Sequence, residues 1–368
     1  MRKHYLVFLA LVLSVGFSLA ACAQLAGTAT GDPLVIAANG ATKAVIVVAP
    51  DLPAASWEAR AAADLAKYIE MMAGAKPAIA NTAESAAAAL QSREPVLLVG
   101  SAALKAEPSL TKALTAVAKK SPTLRADAIV LRRDGNRIYL AGMNDDCHYY
   151  AVAELLRLWG CRWFMANDFG ECIPSYPRLE IGNLSYAYAP PFEVRYEAGY
   201  AWLGDTTGKA EFDHRNLLNT LSVPCGHSLG EYIKDLVPAG GSIFNVPIAE
   251  DKTIQTVAAN AEKAFAAGKD ISLGMNDGSY TSDSKLDKAL SAGLWDKYFR
   301  GQMLTDNFMT LYNGVARTLL AKYPNSPSRI GFFAYCNITM PPQQNVKMEK
   351  PFVAYLAPID IDPNHGMD

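Results

Sequence analysis

The run "MNDGSYTSD" places Asn276, Asp277 and Tyr280 directly behind a β-like stretch, Asp270–Met275. A carboxylate beside an amide and a phenol can hydrogen-bond sugar hydroxyls. Asp277 could also move a proton as one member of a carboxylate pair. The same letters fit a plain turn, because Asn-Asp-Gly is turn chemistry. They lack the acidic series of a calcium-binding EF-hand loop. In "VPCGHS", His227 and Ser228 follow a second β-like run, Asn219–Val223. His227 could bind a hydroxyl or a carboxylate substituent; the plainer alternative is a packed histidine beside a helix capped by Ser228. No Gly-x-Ser-x-Gly surrounds that serine, so nothing points to a serine hydrolase.

Two further stretches belong with these. "FEVRYEAGYAWLGD" (Phe192–Asp205) offers Trp202 as an apolar stacking face with Asp205 close by. Its Glu193, Arg195 and Glu197 alternate along one strand face and would equally form an interior charge network. "PIDID" adds Asp360 and Asp362 after a last β-like run. Two carboxylates about 5–5.5 Å apart suit retaining glycoside hydrolysis, and a wider pair suits inversion. The catalytic candidates are therefore Asp277, Asp360 and Asp362. The substrate-binding candidates are Trp202, Asp205, His227, Asn276 and Tyr280. This chemistry requires no metal and no organic cofactor. Asp145, Asp146 and His148 could suggest a metal, but they precede a helix, where Asp is favoured by the cap and the dipole.

The elements that must position these groups change character along the chain. "AVIVVAPD" (Ala44–Asp51) reads as a short strand closed by a turn. From Ser56, apolar residues recur at helical spacing, and Gly74 stands where a C-cap glycine belongs. "PVLLVG" (Pro95–Gly100) reads as a buried strand, and an alanine-rich helix follows through Lys120. Ala128–Gly142 holds two β runs around Asp134-Gly135-Asn136, a hairpin signal. A helix from Cys147 to Trp159 ends at Gly160. Tyr186–Pro191 reads as a linker.

Beyond it, β-like runs at Glu193–Tyr196, Asn219–Val223, Asp270–Met275, Ile330–Tyr335 and Phe352–Leu356 alternate with long helical stretches, notably Thr253–Gly268 and Thr305–Lys322. Alternation of this kind predicts parallel βα units. A (β/α)8 barrel takes roughly 250 residues, more than remain after Pro191. The expectation is an α/β protein: a small α/β domain over 33–184, then a partial (β/α) barrel over 192–368 that ends before closure, as a fragment of a longer enzyme would. Strand-end loops of parallel units collect on one face, so Asp277, His227 and Trp202 are expected to converge.

One segment is more specific than the rest. "DCHYYAVAELLRLWGCRWFMANDFGECIP" (Asp146–Pro174) combines a Tyr-rich helix, a Gly-Cys-Arg-Trp-Phe exit and a loop reaching Ile-Pro. It resembles the α/β domain that precedes the catalytic barrel in family 67 α-glucuronidases; a related domain precedes the barrel in family 20 hexosaminidases. The whole layout is most similar to the bacterial domain-of-unknown-function family 4838. "HSLGEYIKDLVP" (His227–Pro238), "ISLGMNDGS" (Ile271–Ser279) and "FFAYCNITMPP" (Phe332–Pro342) match that family's barrel motifs more weakly. The resemblance implies a glycoside-hydrolase-like protein acting on complex polysaccharide or oligosaccharide by carboxylate acid/base catalysis, α-glucuronidase-like or hexosaminidase-like. "FAYCNITMPP" departs from it in holding no acidic residue where an acid catalyst would stand. The alternative is a non-catalytic carbohydrate-binding surface lipoprotein. On this resemblance Trp163 and Phe164 would be buried as a wedge between the domains, with Arg162 supplying donors there.

The amino-terminal residues carry an address. Arg2 and Lys3 precede the apolar core "YLVFLALVLSVGFSLAA", too short to span a bilayer comfortably. Its exit "LAAC" resembles a bacterial lipobox, which implies lipidation at Cys22 and a membrane-anchored lipoprotein of the cell envelope, with residues 1–23 as the signal region. Ordinary cleavage after Ala23 fits the same letters. Export permits disulfides, yet the other five cysteines are odd in number and widely spaced, so buried thiols are expected, with Cys161 to Cys172 as one conceivable bridge. A net charge of -2 without a basic stripe excludes a nucleic-acid partner.

Overall fold

The computed structural model describes residues 32–197, 206–296 and 301–357. The chain is a mixed α/β protein, and its contacts divide it into two compact units between Leu221 and Ser222.

The first unit contains strands β1 (Leu34–Ala38), β2 (Val45–Val47), β3 (Ala78–Ala80), β4 (Val96–Val99), β5 (Ile129–Asp134), β6 (Arg137–Gly142), β7 (Arg162–Trp163), β8 (Glu171–Cys172), β9 (Arg178–Ile181) and β10 (Ser185–Tyr188). Its helices are α1 (Trp57–Ala73), α2 (Ala83–Gln91), α3 (Ser101–Ala106), α4 (Ser109–Val117), α5 (Asp145–Leu158) and α6 (Lys209–Arg215). Six strands form a central mixed sheet in the order β10-β5-β6-β4-β2-β3. The β5–β6 hairpin and β10 are antiparallel, whereas β6, β4, β2 and β3 run parallel.

The apolar run in β4 follows from burial on both sides. Leu97 and Val99 join the core under α1 and α5, while Val96 and Leu98 face the opposite core with Ala103, Leu110 and Leu114 of α3 and α4. A strand covered on both faces has no polar side to present, which is why it reads as continuous hydrophobics. The predicted hairpin stands at Asp134–Arg137. Gly74 closes α1 at φ 70°, its N–H on Glu70 O at 2.8 Å.

Several expectations are corrected. The alanine-rich helix is two helices, broken ahead of Pro108, which cannot continue a helical hydrogen-bond ladder. The stretch read as a linker holds β10, paired with β5 from Ser185↔Arg132 to Tyr188↔Ile129. Glu193–Tyr196 and Asn219–Val223 form no strand. The Glu193 carboxylate instead accepts the backbone N–H groups of Thr123, Leu124 and Arg125, and Arg195 pairs with Asp127 at 2.9 Å. By these contacts residues 192–197 pack with the first unit.

Trp163 is buried and Phe164 is 71% exposed. The expected joint burial fails because β7 ends at Trp163: Phe164 lies in the bend that follows, its N–H donating to Gly170 O at 2.9 Å and its ring left in solvent. Trp163 packs inside its own unit, its indole N–H donating to Tyr68 Oη at 2.9 Å. Arg162 donates to the carbonyls of Arg157 and Cys161. Cys161 and Cys172 are free thiols, so no bridge joins them. Asp145 and Asp146 stand in the first turn of α5, which Asn144 caps. Asp145 also accepts Trp57 N and Glu58 N at 2.8 and 2.9 Å, capping α1 from a distance.

The second unit contains α7 (Leu229–Ile233), α8 (Asp251–Ala266), β11 (Ile271–Ser272), α9 (Lys285–Leu290), β12 (Trp295–Asp296), β13 (Gly301–Gln302), α10 (Thr305–Lys322), β14 (Ile330–Ala334) and β15 (Phe352–Leu356). β11, β14 and β15 form a parallel sheet with β14 in the middle. The core gathers Phe265, Leu273, Tyr312, Phe332 and Phe352 between the sheet and the pair α8 and α10. These are parallel βα units as expected, but among the described residues no closed barrel is formed. No described helix is long and apolar enough to cross a membrane.

Candidate functional site

The site lies at the carboxyl end of the second unit's parallel sheet. β11 and β14 are parallel neighbours, so the loops after them leave at one end. A third segment, Val223–Ser228, runs beside them. Gly226 N donates to Ser272 Oγ at 2.9 Å, and Ser228 N and Leu229 N donate to Gly274 O at 3.0 and 2.9 Å. Ser228 starts α7 without a side-chain cap; its hydroxyl donates to Ser272 O at 2.9 Å instead. Two glycines make this approach possible. A side chain at Gly274 would strike the carbonyl oxygen of Gly226, and one at Gly331 would strike that of Pro224.

This packing brings His227 to the strand ends. Its Nδ1 lies 2.7 Å from Met275 O, a pure acceptor, so Nδ1 carries a proton. In the neutral ring Nε2 is then an acceptor, and it has no protein partner among the described residues. The imidazole sits over Phe333 and Tyr335, with ring centroids 5.1 and 5.8 Å away. Tyr335 leaves β14 and donates its hydroxyl to Asp277 Oδ1 at 2.5 Å. That bond, with some burial, holds the Tyr335 hydroxyl well above the ordinary phenol range, so it stays a donor. Asp277 Oδ2 is left without a protein partner among the described residues. Asp277 and His227 are both exposed.

The neighbouring candidates have inward duties. Asn276 Oδ1 accepts Gly230 N at 2.7 Å and the Tyr280 hydroxyl at 3.1 Å, while Nδ2 donates to His227 O at 3.2 Å. Asn276 thus fastens the Asp277 loop to the His227 segment. Tyr280 is 1% exposed, and burial pushes its hydroxyl up to about 12. Trp202, Asp205, Asp360, Asp362 and Cys22 lie outside the described residues. The chain leaves β15 beside the same strand ends, where Ala357 N donates to Ala334 O at 3.0 Å. Among the described residues Asp277 is the only carboxylate hydrogen-bonded into the cluster, and no three His, Cys, Asp or Glu side chains are grouped to hold a metal.

Tyr335 and Phe333 were not among the sequence candidates. Their signal was present: aromatic residues at i and i+2 at the end of a strand face one side and extend past its last hydrogen bond. The arrangement offers aromatic surface, a carboxylate with one free oxygen and an imidazole with one free nitrogen. Such groups can stack on a sugar ring, accept hydroxyl protons, or exchange a proton with a leaving group.

No family model matches the sequence, and no curated protein matches it. Among solved structures, a family 115 4-O-methyl-α-glucuronidase with specificity for decorated arabinogalactans superposes over 83% of this chain at 13% identity and a TM-score of 0.40. The Flavobacterium johnsoniae chitobiase of family 20 superposes over 83% at 11% identity and 0.27. The chain spans 43% and 33% of the lengths of those two proteins. Superpositions this loose establish neither a shared activity nor a shared substrate.

Proposed function

We propose that the second unit is a carbohydrate-active site of glycosidase type, binding polysaccharide or oligosaccharide at the strand ends of a partial (β/α) barrel. The observation that carries this reading is the meeting of Asp277 and His227 around Tyr335, each with a free polar atom, although fifty residues separate the first two in sequence. Both groups are exposed beside aromatic rings, which is the pairing a sugar's apolar face and hydroxyl rim require. In the hydrolytic form Asp277 is one carboxylate of the pair, and Asp360 or Asp362 is proposed as the other. A non-catalytic binding protein is the second reading, favoured by the single described carboxylate in the cluster.

The test is binding of neutral oligosaccharides and release of reducing ends by the whole protein, with His227→Ala as the local probe. Losing a hydrogen bond to the ligand should weaken binding about tenfold. A protein that neither binds nor cleaves any oligosaccharide, or a His227→Ala variant indistinguishable from the parent, removes this reading.

We also propose export with a lipid anchor at Cys22, on the strength of the "LAAC" exit behind a short apolar core. Cys22→Ser should release the protein from the membrane fraction on cell fractionation. Unchanged partition counts against lipidation.

A further inference from the structure

The first unit carries a groove of about 490 Å3, within the range of roughly 300–1,000 Å3 typical of ligand pockets. It lies where the edge strand β10 meets the end of α5. Tyr186 and Tyr188 alternate with Ala187 on β10 and therefore share a face. Their rings are nearly parallel, 17° apart, with centroids separated by 6.2 Å. Phe192, 59% exposed, extends the aromatic wall beyond Pro190 and Pro191.

The polar groups of the groove are balanced. Arg157 Nη1 donates to Glu154 Oε2 at 3.0 Å, and burial raises the Glu154 carboxyl above its ordinary range against the pull of Arg157. Arg195, on the other wall, pairs with Asp127 at 2.9 Å; Asp127 also holds Arg125, which in turn pairs with Asp146, so two arginines face two carboxylates. Asn216 uses its amide N–H groups on Trp163 O and Phe212 O, at 3.2 and 3.0 Å, which leaves its side-chain oxygen as an acceptor. The groove thus offers aromatic faces, donors and acceptors with no excess charge of either sign. An anionic or cationic partner would find no complementary field.

We propose that this groove is a second binding site, which takes a segment of neutral saccharide chain with Tyr186 and Tyr188 as its stacking platform. Sugar rings present apolar C–H faces to aromatics and hydroxyls that both donate and accept; Glu154, Arg157 and Asn216 supply the matching set. A proline-rich peptide also lies in aromatic grooves but asks for few hydrogen bonds at its ring faces. The choice of a saccharide rests on the carbohydrate reading of the second unit. Placed on the first unit, the site would hold a polymer independently of the strand-end cluster and add to its effective concentration there.

The experiment titrates the whole protein with xylohexaose, cellohexaose and N-acetylchitohexaose, with decaproline as the peptide control. Tyr186→Ala/Tyr188→Ala should weaken at least about tenfold a binding step that His227→Ala leaves intact. Because truncation could disturb the edge strand, the unsubstituted protein is also nitrated with tetranitromethane, and the bound hexasaccharide should protect both tyrosines. Protection without any His227→Ala effect supports the groove and removes the second-unit reading. A His227→Ala effect with unprotected tyrosines, and affinity unchanged in the double variant, overturns the groove alone. Binding of decaproline and of no saccharide overturns both.

Discussion

Trp163→Ala should lower the unfolding free energy of the first unit by about 3–5 kcal/mol, the usual cost of truncating a large core aromatic. The indole is 4% exposed and meets Tyr68 edge-on, with ring centroids 5.3 Å apart and planes 71° apart. Its loss would leave a cavity and would also disturb a polar chain. The Trp163 N–H donates to Tyr68 Oη at 2.9 Å, and Tyr68 donates to Glu171 Oε1 at 2.6 Å. Glu171 in turn pairs with Arg215 of α6 at 3.3 Å. Arg215 also meets Asp64 of α1, which accepts the Tyr149 hydroxyl of α5. One aromatic thus anchors a network that ties α1, α5, α6 and β8. Urea denaturation followed by far-ultraviolet circular dichroism measures the effect. Phe164→Ala, at the exposed neighbour, should stay within about 0.5 kcal/mol of the parent. A Trp163→Ala loss below about 1 kcal/mol would mean that the site collapses onto the gap, against the packing described.

The contrast between those two neighbours marks what was readable from the letters. Local rules were legible: the Asp134-Gly135-Asn136 hairpin, the Gly74 cap and the span of α10 are set by residues adjacent in sequence. The Trp-Phe pair shows a limit: β7 ends at Trp163, and no local pattern declares that the chain bends at Phe164 and turns its ring outward. β10 reads as a linker because Pro190 and Pro191 overshadow the Tyr-Ala-Tyr alternation before them, itself a strand pattern. Arg195 illustrates a further limit. A β-rich run predicts a strand, but its side chain serves Leu217 O and Asp127, and no local pattern encodes those partners.

The candidate site divides in the same way. Asp277 follows a parallel strand, as its β-like run predicts, whereas the run before His227 forms no strand; that histidine reaches the strand ends on an irregular segment held by Ser272 and Gly274. Tyr335 is not legible in the same way: a strand end without a carboxylate signals no acid catalyst, and an aromatic there satisfies the position differently. The clearance that admits the Val223–Ser228 segment depends on Gly274 and Gly331 meeting carbonyls more than forty residues away in sequence. A glycine's letter shows permissiveness, never which backbone will approach it.

On the hydrolytic reading proposed above, Asp277→Asn should abolish most hydrolysis while leaving oligosaccharide affinity within a few-fold of the parent. Asparagine keeps the shape and keeps an oxygen to accept the Tyr335 hydroxyl, now at 2.5 Å. An NH2 replaces the free Oδ2, so that position can no longer take up or release a proton and the acid/base role is removed. Loss of a positioned acid or base typically costs about a hundred- to ten-thousand-fold in turnover. Reducing-end release at saturating oligosaccharide measures that loss, and calorimetric titration of the same variant measures affinity. Tyr335→Phe is the companion, since it removes the O–H but not the carboxylate. If Asp277 acts as a base held in place by Tyr335, this second variant should retain part of the turnover and shift its pH profile. In a protein that never hydrolysed, Asp277→Asn should instead weaken binding, because an amide replaces a charged acceptor of hydroxyl protons. That outcome makes the strand-end cluster a lectin-like site. Unchanged turnover and unchanged affinity together would take Asp277 out of the site and leave the Tyr335 hydrogen bond as a loop fastening.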